Sequence, residues 1–238
     1  MNDNALLAAT RAKLREEARS DFYLFYTLVF PQIDPGTPFS HSPHFKVLAT
    51  AFEKVITGET PKLLVALPPR FGKSVIGSIA LPAFILGNDP AAKIICGSYG
   101  DALSRSFAQK TRELMVSPTY TDVFGQVLTK KDGALEELQT VEKGYRFATS
   151  VNGVVTGKGA NIIIIDDPLK AIEADSMIAR ETSYNWVKST LMSRFDPGGV
   201  DRMIVIMQRL HQDDLIGRLM ADGGWTVLEM PAEVLKPV

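Results

Sequence analysis

The apolar residues Leu63-Leu64-Val65-Ala66-Leu67 run without a break into Pro68-Pro69-Arg70-Phe71-Gly72-Lys73-Ser74, and the chain beyond stays compatible with a helix as far as Leu86. A short apolar run closed by Pro and Gly predicts a buried strand, a tight turn and a helix start. Such a start offers unpaired N–H groups and the positive end of a dipole, so Arg70, Phe71, Gly72, Lys73, Ser74 and Val75 can cradle an anion. Lys73 adds a point charge for β/γ-phosphate oxygens, and the Ser74 hydroxyl is a magnesium ligand of the expected kind. The usual phosphate loop carries an earlier glycine. Here that place holds Leu67, and the two prolines after it have no N–H to give, so only Arg70 onward can meet phosphate. The expected ligands are ATP and Mg2+.

A second motif, Asn161-Ile162-Ile163-Ile164-Ile165-Asp166-Asp167-Pro168, predicts a strand buried on both faces with two carboxylates at its carboxyl end. Ligands of open α/β sheets bind at that edge. Asp166 is expected to reach the magnesium held by Ser74, and Asp167 to face the attacking water. Glu173, six residues on, competes with Asp167 for the role of general base. A third apolar run, Met203-Ile204-Val205-Ile206-Met207, delivers Gln208 to the same edge, where a neutral amide can hydrogen-bond both the γ-phosphate and the water. Read alone, Gln208-Arg209-Leu210-His211-Gln212-Asp213-Asp214 is equally a polar strand end followed by a helix start.

These motifs, with Thr156-Gly157-Lys158-Gly159-Ala160, Trp186, Arg194 and Gln208-Arg209-Leu210-His211-x-Asp213-Asp214-Leu215-x-Gly217, resemble the large terminase subunit of tailed bacteriophages from about Phe39 to Pro231. The resemblance implies an ATPase motor that drives double-stranded viral DNA into a procapsid. It also implies a homo-oligomeric ring on the portal protein, a small terminase subunit as partner, and the host bacterial cytoplasm as location. Phe71 stands where many relatives carry His, Leu210 where many carry Trp, and Gln208 where many carry Thr or Ser. In the family a polar residue before the helix that precedes the phosphate-loop strand contacts adenine; His44 takes that place, with Gln32 as a rival. Family members continue into a nuclease domain. Residues 232–238 resemble the start of the linker to it, so nuclease activity is not expected of this chain.

The order of elements predicts an α/β fold: a P-loop NTPase of the additional-strand class, with a mainly parallel sheet flanked by helices. Residues 1–39 form a helical appendage or lid, and residues 40–231 the ATPase core. Helices are expected over 4–30, 45–57, 74–86, 101–116 and 176–195, strands over 93–98 and 145–149, and a loop over 31–43. Lys73 and the metal neutralise phosphate charge, and an arginine is required for the rest. Arg70 is the candidate in cis; Arg105, Arg146, Arg194 and Arg209 are candidates for reaching a neighbouring subunit.

Composition leaves the partner open. The 26 basic and 27 acidic residues leave a net charge of −1, so the expectation of DNA rests on the resemblance and not on a basic surface. No run is apolar enough to span a membrane, and Cys96, within an apolar run, is expected in the core. Two other classes stand beside the packaging motor: a helicase-like or remodelling ATPase, and a nucleotide-binding assembly switch with little turnover.

Overall fold

The computed structural model describes residues 3–129 and 134–231; the expected linker 232–238 lies outside the described residues. Seven strands form one sheet in the order β3-β4-β2-β5-β6-β1-β7. They are β1 (Lys62–Ala66), β2 (Lys93–Ser98), β3 (Glu137–Gln139), β4 (Tyr145–Ser150), β5 (Ile162–Asp166), β6 (Arg202–Met207) and β7 (Thr226–Glu229). Every neighbouring pair is parallel except β3 with β4. β6 lies between β1 and β5, which is the additional-strand arrangement.

Unbroken apolar runs are needed because helices cover both faces of the sheet. On β5, Ile162 and Ile164 enter one apolar cluster and Ile163 and Ile165 the other. β1 and β6 divide the same way, Leu63, Val65, Ile204 and Ile206 against Leu64, Ala66, Met203 and Val205, as a side-chain period of two requires. The first face carries α1 (Asp3–Ser20), α2 (Phe22–Ile33), α3 (Pro43–Thr57), α4 (Leu81–Asn88), α5 (Asp101–Met115) and α6 (Pro118–Phe124). The second carries α7 (Met177–Asn185) and α8 (Leu215–Asp222).

The first two helices pack in the same apolar cluster as the sheet. Asp21 caps α2 through Leu24 N–H, and Phe22, Phe25, Tyr26, Val29 and Phe30 are buried in the same cluster as the sheet residues. α2 runs two residues beyond Pro31, further than the expected loop start, because Phe30 O still accepts from Asp34 N–H and Ile33 packs against the cluster. α6, capped by the Ser117 hydroxyl, and the three-residue edge strand β3 have no periodic signal long enough to read from sequence.

Two expected helices are not plain α-helices. The one after Ser74 is π-helical over Val75–Ala80 before α4 begins. The one expected over 176–195 is α7, then a π-helical segment Trp186–Leu191 and a 3-10 turn Met192–Arg194. Trp186 packs its ring on Gly97 so closely that a Cβ there would lie 2.5 Å from the indole. Widening the helix helps seat that ring with Val187 and Leu191, both fully buried.

Candidate active site

The carboxyl ends of β1, β5 and β6 meet at one edge of the sheet. Ala66 pairs with Met207, and Ile206 pairs with Asp166. Gln208 therefore leaves β6 between the phosphate loop on one side and the two aspartates on the other. It also lines a cavity of about 330 Å3 with Pro68, Pro69, Glu229 and Met230.

The loop between β1 and the π-helical segment is held open by two left-handed residues, Arg70 at φ +66° and Gly72 at φ +70°. Gly72 is required twice over, because a Cβ would also lie 2.8 Å from the Phe45 ring. Phe71 O accepts from His44 Nε2 at 3.2 Å, while His44 Nδ1 meets the Ser42 hydroxyl at 2.7 Å. Both ring nitrogens are thus engaged, and His44 ties the start of α3 to the loop. Gln32 sits exposed in the last turn of α2.

Lys73 is buried and pairs with Asp167 Oδ2 at 2.9 Å. Asp167 adopts φ +43°, unusual for a residue other than glycine. Its N–H donates to Ile206 O at 2.9 Å and its carbonyl accepts from Tyr99 N–H at 3.2 Å, so strands on both sides hold the strained backbone. Glu173 lies elsewhere, in a 3-10 turn at Ala171–Glu173, half exposed and 3.5 Å from Lys170. Of the two competing carboxylates, the structure brings Asp167 to Lys73 and Glu173 to Lys170.

Asp166 continues the Ile162–Ile164 parity and points under the π-helical segment, where Ser78 Oγ donates to its Oδ2 at 2.9 Å. It is 1% exposed and its Oδ1 makes no hydrogen bond among the described residues. Burial, reinforced by the Asp167 charge, pushes its carboxyl from the usual 3.8 up to about 6, against the pull of the Ser74 and Ser78 hydroxyls and Lys73. A buried carboxylate with a bare oxygen, beside a helix-start hydroxyl, fits Mg2+, which takes one or two carboxylates and otherwise phosphate and water oxygens.

The candidate arginines separate by environment. Arg146 is wholly buried, its Nη2 donating to Ser78 O, so the expectation that it reaches a neighbouring subunit is corrected; the sheet is covered on both sides at β4. Arg209 is committed within the chain, its Nε 3.1 Å from both oxygens of the fully buried Asp214. Asp214 also accepts from the N–H groups of Leu210, His211 and Gly217 and caps α8. A Cβ on Gly217 would strike Gln212 O at 2.0 Å, which accounts for the glycine of that motif. Arg105 is exposed and paired with Glu136, the Arg194 guanidinium donates to the neighbouring Ser193 hydroxyl, and Arg70 is exposed on the loop itself. Lys158 is occupied by Glu137 and lies over the Tyr145 ring. Cys96 is buried within β2 as expected. Sequence reasoning missed Ser78 and the buried setting of Arg146; the one available signal was Pro82, which disturbs the helix that carries Ser78.

No family model matches the chain, and no curated protein matches it. Among solved structures it is similar to the large terminase of bacteriophage HK97, with a TM-score of 0.51 and 14% identity over 82% of this chain and 40% of that one. It therefore spans about two fifths of that protein's length. A variant of S. cerevisiae Dbp5 bound to a Gle1 variant and IP6 gives a TM-score of 0.46 and 10% identity over 79% of this chain and 46% of that one, too weak a likeness to carry an argument. The likeness shows the fold alone: a mainly parallel sheet with β6 between β1 and β5 and helices on both faces.

Proposed function

We propose that the chain is an ATP hydrolase, the motor part of a terminase-like machine that moves double-stranded DNA. The observation that carries the hydrolase is the meeting of Lys73, Asp167 and the bare Asp166 oxygen at the edge where β1, β5 and β6 end. The phosphate-loop N–H groups from Arg70 to Val75 receive the triphosphate, and Lys73 exchanges its Asp167 partner for the β/γ-phosphates. That exchange frees Asp167 to orient a water molecule on the γ-phosphorus and accept its proton. Ser74 and Asp166 hold magnesium, which when bound supplies positive charge to the phosphate oxygens. In this reading Gln208, at the end of β6, contacts both γ-phosphate and water, and so relays whether the bond is intact.

His44, with both ring nitrogens engaged, acts on nucleotide through the loop it pins. Arg70 is the charge donor in cis, and Arg105 and Arg194 are those available to a neighbouring subunit. The packaging assignment is supported by the likeness to the HK97 large terminase and by the motif order. A portal protein, a small terminase subunit and a ring of copies are the partners it implies, in the cytoplasm of an infected bacterium.

Lys73→Ala is expected to abolish ATP hydrolysis and weaken nucleotide binding; hydrolysis at the parent rate under saturating magnesium would sink the assignment. Displacement of a third strand from intact duplex DNA, fuelled by ATP, tests the motor. Separation of duplex strands instead would assign a helicase-like ATPase, and nucleotide binding without turnover a switch.

A further inference from the structure

Pro82 has no N–H, so the carbonyl four residues earlier, that of Ser78, is denied its helical donor. The chain there is π-helical, with Leu81 N–H reaching back to Ile76 O. The Ser78 carbonyl instead accepts from Arg146 Nη2 at 3.3 Å, with Thr111 Oγ1 3.5 Å away. Arg146 has no solvent exposure, and its Nε and Nη1 have no partner among the described residues. Burial lowers its pKa, as expected of a guanidinium taken out of water. A guanidinium buried with two of its three nitrogens lacking partners among the described residues costs folding free energy that an apolar side chain of similar volume would avoid.

The residue it holds is the one that holds Asp166. Ser78 donates its hydroxyl to Asp166 Oδ2 at 2.9 Å in a fully buried contact, and Oδ1 is left bare. Arg146 on β4 thus fixes a carbonyl, and the hydroxyl of the same residue fixes which oxygen of Asp166 is spent. We propose that Ser78 and Arg146 are positioning residues that orient Asp166 so that Oδ1 faces the magnesium site. This rests on the reading of Asp166 as a magnesium ligand. Outer hydrogen bonds of this kind commonly change metal affinity by 10- to 100-fold when removed.

The test measures binding of a fluorescent ADP analogue to the chain in EDTA and across a Mg2+ titration. Ser78→Ala is expected to raise the Mg2+ concentration for half-maximal effect about 10- to 100-fold while leaving affinity in EDTA unchanged. Arg146→Met, close in volume and apolar, is expected to show the same Mg2+ defect, and the double variant to be no worse than either single one. A Ser78→Ala titration that coincides with the parent, or affinity lost equally with and without Mg2+, overturns the proposal. If Arg146→Met does not fold, Ser78→Ala decides alone. Asp166→Asn separates the two readings: if it leaves the Mg2+ effect intact, the ligand assignment itself fails. If it removes the effect and Ser78→Ala does not, only the positioning role fails.

Discussion

Asp166 and Asp214 are both essentially buried at the same end of the sheet, one closing β5 and the other the turn after β6, and they are treated in opposite ways. Asp214 accepts from three backbone N–H groups and an arginine. The Asp166 carboxylate has no backbone donor among the described residues, only the Ser78 hydroxyl on Oδ2 with the Ser74 hydroxyl near it; a second carboxylate stands beside it in sequence, and its Oδ1 has no hydrogen-bond partner among the described residues. A carboxylate surrounded by donors is a structural clamp, whereas one left short of donors costs stability and is free to bind something else. The motif read from sequence as Gln-Arg-Leu-His-x-Asp-Asp-Leu-x-Gly is thus mostly a clamp at the end of β6, and the Asp-Asp pair after the isoleucines is the one left open to take the proposed chemical role.

The comparison is broken most severely by swapping the two losses. Asp166→Ala is expected to reduce ATP hydrolysis by at least about 1,000-fold with the fold intact, while Asp214→Ala is expected to lower stability by about 3–5 kcal/mol, since it strands Arg209 and three N–H groups. Chemical denaturation and steady-state ATPase rates on both variants check this. A folded, inactive Asp214→Ala and an unfolded Asp166→Ala would invert it.

The next effect has a sign set by protonation. The Asp166 carboxyl binds its proton more tightly folded, near 6, than unfolded, near 3.8. The folded state therefore binds more protons across that window, and its stability falls as pH rises from about 4 to about 6. The gap corresponds to roughly 3 kcal/mol in the metal-free protein. Asp166→Asn, which cannot ionise, should melt higher than the parent at pH 8 without Mg2+, and the difference should vanish at pH 4. An equal or lower melting point at pH 8 would mean that the carboxylate is better satisfied than its contacts show.

A smaller effect sharpens the same point at the loop. Gly217→Ala, against the Gln212 carbonyl, is expected to destabilise by about 1–3 kcal/mol without changing the rate per folded molecule. Gly72→Ala, at positive φ and against Phe45, is expected to weaken nucleotide binding as well. Thermal melts with and without ADP distinguish them.

Much of this was legible because β1, β5 and β6 are covered on both faces and so had to be continuous apolar runs; those runs locate the sheet edge, and hence Lys73, Asp166, Asp167 and Gln208. What was hidden follows from the same burial. Tyr145-Arg146-Phe147 reads as a strand, but the sequence does not show that the sheet is covered at Arg146, so one of the four arginines open to a neighbouring subunit is wholly buried. A period of 3.6 residues finds a helix after Ser74 but not the π-helical turn that Pro82 accompanies, and so gives no place to Ser78. Asp213 and Asp214 are adjacent and chemically alike. The bonds from Leu210, His211 and Gly217 N–H and from Arg209 show that Asp214 is the clamp; Asp213 is the one that pairs with Arg180 and Arg218.

The most direct test of the site is single-turnover hydrolysis of ATP by Asp167→Asn and Glu173→Gln, with nucleotide binding measured alongside. Asp167→Asn is expected to bind ATP and lose at least about 100-fold in the chemical step, because the group released by Lys73 can no longer take a proton from water. Glu173→Gln, which alters only an exposed pair with Lys170, is expected to stay within about twofold of the parent. Loss of chemistry in Glu173→Gln alone, with Asp167→Asn turning over at the parent rate, would contradict the account.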